Sequence, residues 1–168
     1  MTLRLYPMTC GWLTAPLGLL LEGESGEIRI PVPCYLIDHP KGKVLFDSGL
    51  NAAVLDDANG HLGYLTRYFQ PDLDEQDLVA RQLETLDLGA HDIDCLVTSH
   101  LHFDHAGGHS QFPNTPTIIQ RREWEAGADD DLIAANGYIA TDYSLGQDVI
   151  QVDGEHDVFG DGAIVCMP

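Results

Sequence analysis

Residues 3–6 alternate apolar and polar and read as a first strand. Residues 8–27 carry Gly, Pro and Glu and read as a long loop. The apolar Trp12, Leu13 and residues 17–21 within it are expected to pack on the core or against a second copy in a homodimer. The other reading is a lip over an apolar substrate. Residues 32–38 and 43–47 read as two strands joined by the turn signal His39-Pro40-Lys41-Gly42. Residues 51–70 look irregular. Val79, Leu83 and Leu86 follow at i, i+4 and i+7, with Asp74 as a helix cap and Gly89 as a stop, which predicts an amphipathic helix over 75–87. Residues 93–99 form a short, apolar, buried strand. A short helix over 105–110, a strand over 117–120 and a helix over 122–128 come next. Strands over 147–152 and 163–167, parted by a turn around Gly160-Asp161-Gly162, complete an α/β pattern without internal repeats.

The strand at 93–99 runs into Ser99-His100-Leu101-His102-Phe103-Asp104-His105-Ala106-Gly107-Gly108. His100 and His102 sit two apart and face the same side if the strand continues as an extended turn. Asp104 and His105 follow as the chain turns and can serve a second position. Imidazole and carboxylate suit zinc, iron, cobalt or manganese. Such a cluster is polar, costly to bury and adds no core volume, so packing does not explain it. His109 lies beyond the cluster and is read as solvated or supporting, not as a ligand. Asp129-Asp130-Asp131 lacks the spaced ligands of a calcium loop and reads as a solvated face.

At 168 residues the chain holds one ordinary domain. Its net charge of −19, from 27 acidic against 8 basic residues, argues against nucleic-acid or anionic-membrane partners. Four cysteines (Cys10, Cys34, Cys95, Cys166) are scattered without a C-x-x-C pair. They read as reduced, mostly buried thiols, hence a cytoplasmic setting. The start of the chain lacks a basic segment followed by an apolar stretch, so no signal peptide is expected.

His-x-His-x-Asp-His resembles the signature of the metallo-β-lactamase superfamily, and residues 99–108 resemble its N-acyl homoserine lactone lactonase branch. Pro31-Val32-Pro33-Cys34-Tyr35-Leu36, residues 42–49 and residues 112–125 (FPNTPTIIQRREWE) are similar to that branch as well. The resemblance implies a four-layer αββα sandwich of two similar halves. This chain would cover the N-terminal half and slightly more, as a piece of a longer protein. It implies two divalent metal ions, zinc by the family's habit. His100 and His102 would hold one ion; Asp104 and His105 would hold the other. The remaining ligands and a substrate-side Tyr would lie beyond residue 168. A hydroxide between the ions would open a lactone ring, and Asp104 would pass a proton to the leaving oxygen. Asp47, at the end of a strand, would orient a His by hydrogen bonding. Phe103, Tyr68 and Phe69 are candidates to line an acyl groove. The same motif serves sister hydrolases acting on other lactones, thioesters or organophosphates. A bare metal- or partner-binding fragment is the reading from another class.

Overall fold

The computed structural model describes residues 2–168. Its frame is a seven-stranded mixed sheet in the order β4-β1-β2-β3-β5-β6-β7. The strands are β1 (Arg4–Pro16), β2 (Glu27–His39), β3 (Gly42–Phe46), β4 (Gln70–Asp72), β5 (Cys95–Val97), β6 (Thr117–Gln120) and β7 (Val149–Val152). A separate antiparallel pair joins β8 (His156–Asp157) to β9 (Val165–Cys166). The early strands form an antiparallel meander, whereas β3, β5, β6 and β7 run parallel. Parallel neighbours need crossovers, and these contain the helices. They are α1 (Ala53–Leu62), α2 (Val79–Glu84), α3 (Phe103–Ala106), α4 (Arg121–Ala126), α5 (Asp130–Asn136) and α6 (Ala140–Tyr143).

Several elements differ from their sequence pattern. The loop expected over 8–27 is strand as far as Pro16. Gly11, at φ 100°, sits in a bulge between Thr9 and Trp12, where the register with β2 shifts. Glycine there re-aims the strand without ending it. Met8 and Cys10 before the bulge, and Leu13 and Ala15 after it, are all buried. Pro31 and Pro33 fall inside β2, at a stretch where β3 does not pair with it, so no ladder donor is missed. The segment 51–70 is mostly helical, although α1 is kinked at Asp57. The helix expected over 75–87 begins as a 3-10 turn at Glu75–Asp77, breaks at Leu78 (ψ 134°) and resumes as α2. Asp74 caps it as expected, accepting from the Gln76 amide at 2.7 Å. Asp129, read as a solvated charge, caps α5 by accepting from the amides of Asp131 and Leu132.

The core lies on both faces of the sheet. On one face, Cys34, Leu36, Leu45 and Leu96 pack against Val79 and Leu83 of α2 and against Phe112. On the other, Val44, Val97, Ile118 and Val152 meet Phe159, Ile164 and Cys166 from the β8–β9 segment. A hollow of about 340 Å³ remains on that second face, beside the exposed Val165 and Met167. Cys10, Cys34, Cys95 and Cys166 are all free thiols. Among the described residues no helix is long and apolar enough to cross a membrane.

Candidate metal centre

β3 and β5 are parallel neighbours, so both end on the same side, and both ends carry polar residues of the motif region. Such carboxyl ends are where open α/β layers place their sites. Asp47, the residue after β3, has φ 58°, a left-handed value uncommon for a residue with a side chain. Its amide still bonds Val97 in β5, while its carboxylate turns under the motif. Only 4% of Asp47 is exposed. Oδ1 accepts from the Ser99 amide at 2.8 Å. Oδ2 accepts from Ser99 Oγ and from His105 Nδ1, each at 2.8 Å.

These contacts assign the imidazole nitrogens. The Ser99 hydroxyl spends its proton on Asp47, so at 2.9 Å it accepts from His100 Nδ1. His105 donates through Nδ1 to Asp47. His102 donates through Nε2 to the Asn136 carbonyl at 3.0 Å. The nitrogens left to face a metal are therefore Nε2 of His100, Nδ1 of His102 and Nε2 of His105. The three rings stand together, His100 lying 4.6 Å from His102 and 4.1 Å from His105 between centroids. Asp104 Oδ2 is 3.4 Å from His105 Nε2.

Burial and the neighbouring imidazoles lower the pKa of His100, which keeps it neutral and able to coordinate. Burial pulls His105 the same way, but hydrogen bonds to Asp104 and Asp47 outweigh it and raise its pKa to about 10. A metal at Nε2 must displace that proton. Burial would raise Asp104, yet the bond to His105 and nearby positive charge leave it below its usual value, ionised and ready to ligate. Among the described residues no three His, Cys, Asp or Glu side chains converge on one point. The imidazoles of His100, His102 and His105 and the carboxylate of Asp104 are donor types that transition metals accept.

The motif helix approaches the floor closely. A Cβ on Gly107 would come within 2.6 Å of the Asn51 nitrogen, and one on Gly108 would overlap the Ser48 carbonyl oxygen. Only glycine lets residues 105–108 lie on the 48–51 loop. Ser48 ties the two together, its amide bonding the His105 carbonyl at 2.7 Å. His109 is not solvated. It is 1% exposed and bonds Thr98 Oγ1 through Nε2 at 2.9 Å.

Beside the donors lies a hollow of about 380 Å³ lined by Leu13, Leu20, Ile30, Phe69 and Phe103 among others, with His102 and Asp104 at its wall. Phe69 and Phe103 meet at 5.6 Å. Tyr68 is 46% exposed and does not line it. Sequence reasoning missed three supports of the site: Glu123, Asn136 and Tyr138. Glu123 Oε1 accepts from the Leu101 amide at 2.9 Å and from the Tyr138 hydroxyl at 2.7 Å.

Several known proteins are similar to this chain in sequence and fold. The lactonase AttM of Azorhizobium caulinodans is 34% identical over 98% of this chain, and the chain spans 65% of that relative's length. A variant of the lactonase AiiA from Bacillus thuringiensis, with N-decanoyl-L-homoserine at its active site, superposes with a TM-score of 0.78 at 27% identity. That match covers 94% of this chain and 63% of the other. An N-acyl homoserine lactone hydrolase with N-hexanoyl-L-homoserine at its catalytic metal centre gives a TM-score of 0.77 at 27% identity, over the same shares of the two chains. Residues 28–164, from β2 through the motif to the edge of β9, match the metallo-beta-lactamase superfamily. With its sheet order, its His-x-His-x-Asp-His turn and its buried Asp47 beneath, the chain belongs to that superfamily.

Proposed function

We propose that this protein opens the ring of N-acyl homoserine lactones, using two divalent metal ions, most simply zinc. One observation carries the reading. His102 and Asp104, one from each donor pair, stand at the wall of an apolar hollow of about 380 Å³, and Ser99, Asn136 and Asp47 orient the three imidazoles. A polar reaction centre beside an apolar slot suits a small lactone carrying a fatty tail. The relatives named AttM and the homologue with N-hexanoyl-L-homoserine at its metal centre support the same substrate.

His100 and His102 would hold one ion; Asp104 and His105 would hold the other. When bound, the ions supply an activated water at neutral pH and polarise the lactone carbonyl. This chain's residues do the rest. Asp47 and Ser99 hold the imidazoles in the ligating tautomer. Asp104, ionised at the boundary between donors and hollow, would take the proton released by the activated water and pass it to the ring oxygen as the ester bond breaks. Phe69 and Phe103 take the acyl tail and exclude water from it. The net charge of −19 does not oppose a neutral lactone.

The test is zinc content together with ring opening of N-hexanoyl-homoserine lactone, followed by proton release in the full-length protein. Two ions per chain and rapid ring opening support the reading. Absence of bound metal refutes it. Metal uptake with hydrolysis of thioesters or phosphotriesters, and none of lactones, moves the protein to a sister activity.

A further inference from the structure

Nothing in the reading above requires Glu123, yet its carboxylate sits at a junction. It projects from α4 and accepts two hydrogen bonds on one oxygen. The first comes from the amide of Leu101, the residue between His100 and His102, and Leu101 itself is fully buried. That bond fixes the plane of the His100–Leu101 peptide, one residue ahead of His102. The second comes from the Tyr138 hydroxyl, and the Tyr138 ring stands edge-on to the His102 ring at 5.4 Å and 61°. Two residues before Tyr138, the Asn136 carbonyl accepts from His102 Nε2. Asn136 ends α5, and Gly137 follows at φ 70°, ψ 32°, a left-handed helix stop that turns the chain back toward His102. One carboxylate therefore ties down both ends of the contact: the backbone of His102 through Leu101, and the acceptor of its ring through Tyr138.

We propose that Glu123 is a positioning residue that, through the Leu101 amide and the Tyr138 hydroxyl, locks His102 with Nε2 donating to Asn136 and Nδ1 open to a metal. The idea rests on the metal-hydrolase reading for its purpose, but the lock itself is a property of the chain. Its requirement is an acceptor oxygen at Oε1, not a charge. A glutamine keeps such an oxygen, with two lone pairs for the same two donors. Alanine keeps neither.

The test uses protein labelled at its histidine nitrogens, with long-range proton–nitrogen spectra to read the His102 tautomer, and zinc titration against a chromophoric chelator. In the unsubstituted protein and in Glu123→Gln, His102 is expected as a single Nε2–H tautomer, with equal zinc affinities. In Glu123→Ala the tautomers should mix, and one of the two zinc affinities should fall about 10–100-fold while the other holds. Tyr138→Phe, which removes one hydroxyl, should shift both readouts in the same direction by less. A folded Glu123→Ala protein with the Nε2–H tautomer intact and both affinities unchanged overturns the proposal, as does loss of the tautomer in Glu123→Gln. Should Glu123→Ala not fold by circular dichroism, Tyr138→Phe decides: unchanged tautomer and affinity refute the lock. If the unsubstituted protein takes up no zinc, the hydrolase reading fails, and the tautomer spectrum still judges Glu123.

Discussion

Nδ1 of His105 donates to Oδ2 of Asp47 across 2.8 Å, although 58 positions separate them in the chain. The bond ties the end of β3 to α3 and leaves His105 Nε2 as the nitrogen that a metal would take by displacing its proton. Asp47→Asn separates this role from the backbone's, because asparagine tolerates the left-handed φ of 58°. An asparagine can still accept from the Ser99 amide, but its NH₂ then faces His105 Nδ1 and favours the tautomer with a proton on Nε2. We expect zinc affinity to fall about 10–100-fold with little loss of stability. Chelator competition on the folded variant measures this. Unchanged affinity would reduce Asp47 to a turn residue.

The acyl hollow makes a second expectation concrete. Phe69 is only partly buried, so shortening it should leave the core standing. Phe69→Ala should lower kcat/KM for a decanoyl lactone about tenfold relative to a butanoyl lactone, the equivalent of about 1.4 kcal/mol of tail contact. An equal fall for both tails would place Phe69 outside the tail site. Phe103 is a poorer probe. It is almost wholly buried, and its removal would cost about 3–5 kcal/mol of stability whatever it does for substrate.

The superfamily was legible because its signature is local: three His and one Asp within six residues, after an apolar strand. β6 was legible for the same reason, and its bounds Thr117–Gln120 match the sequence pattern. β1 was not, because Gly11 and Pro16 look like breakers until the partner strands are known. Gly11 is a bulge and Pro16 a strand end. α1 was hidden by Asp56, Asp57, Asn59 and Gly60, all poor helix formers, and it does kink at Asp57. The bonds that support the site span 22, 34, 15 and 58 positions, so no periodicity could announce them. Glu123 lies inside the family-like stretch 112–125, which was the one available signal for it.

His109 should make the fold acid-sensitive. Burial lowers its pKa from 6.5 to about 4, and among the described residues Nδ1 finds no hydrogen-bond partner. The unfolded chain therefore binds a proton in the window between about pH 6.5 and pH 4 that the folded chain refuses. Stability is full above this window and falls as pH drops through it, by up to about 3 kcal/mol for this one group. Asp142 opposes it, because burial raises its pKa to about 6, so its protonation favours the fold as pH falls. His109→Leu, which cannot titrate, should flatten the decline of Tm between pH 6.5 and 4 relative to the unsubstituted protein. Parallel Tm-against-pH curves would show that His109 takes no part.

Gly108 tests how tightly floor and motif must fit. Its amide bonds the Gly49 carbonyl at 3.0 Å, and an added Cβ would strike the Ser48 carbonyl, which is backbone and cannot swing away. The loop must then lift, carrying Asp47 from His105, since Ser48 is also bonded to the His105 carbonyl. Gly108→Ala should lower stability by about 1–3 kcal/mol, as overpacking does, and weaken zinc binding in the same variant. Gly154→Ala is the control. Its Cβ would meet nothing within 4 Å, so it carries only the strain of a φ of 74°. Denaturant unfolding and zinc titration on both variants read the two effects. If Gly108→Ala loses no more stability than Gly154→Ala and keeps its zinc affinity, the close contact between loop and motif does not hold the donors in place.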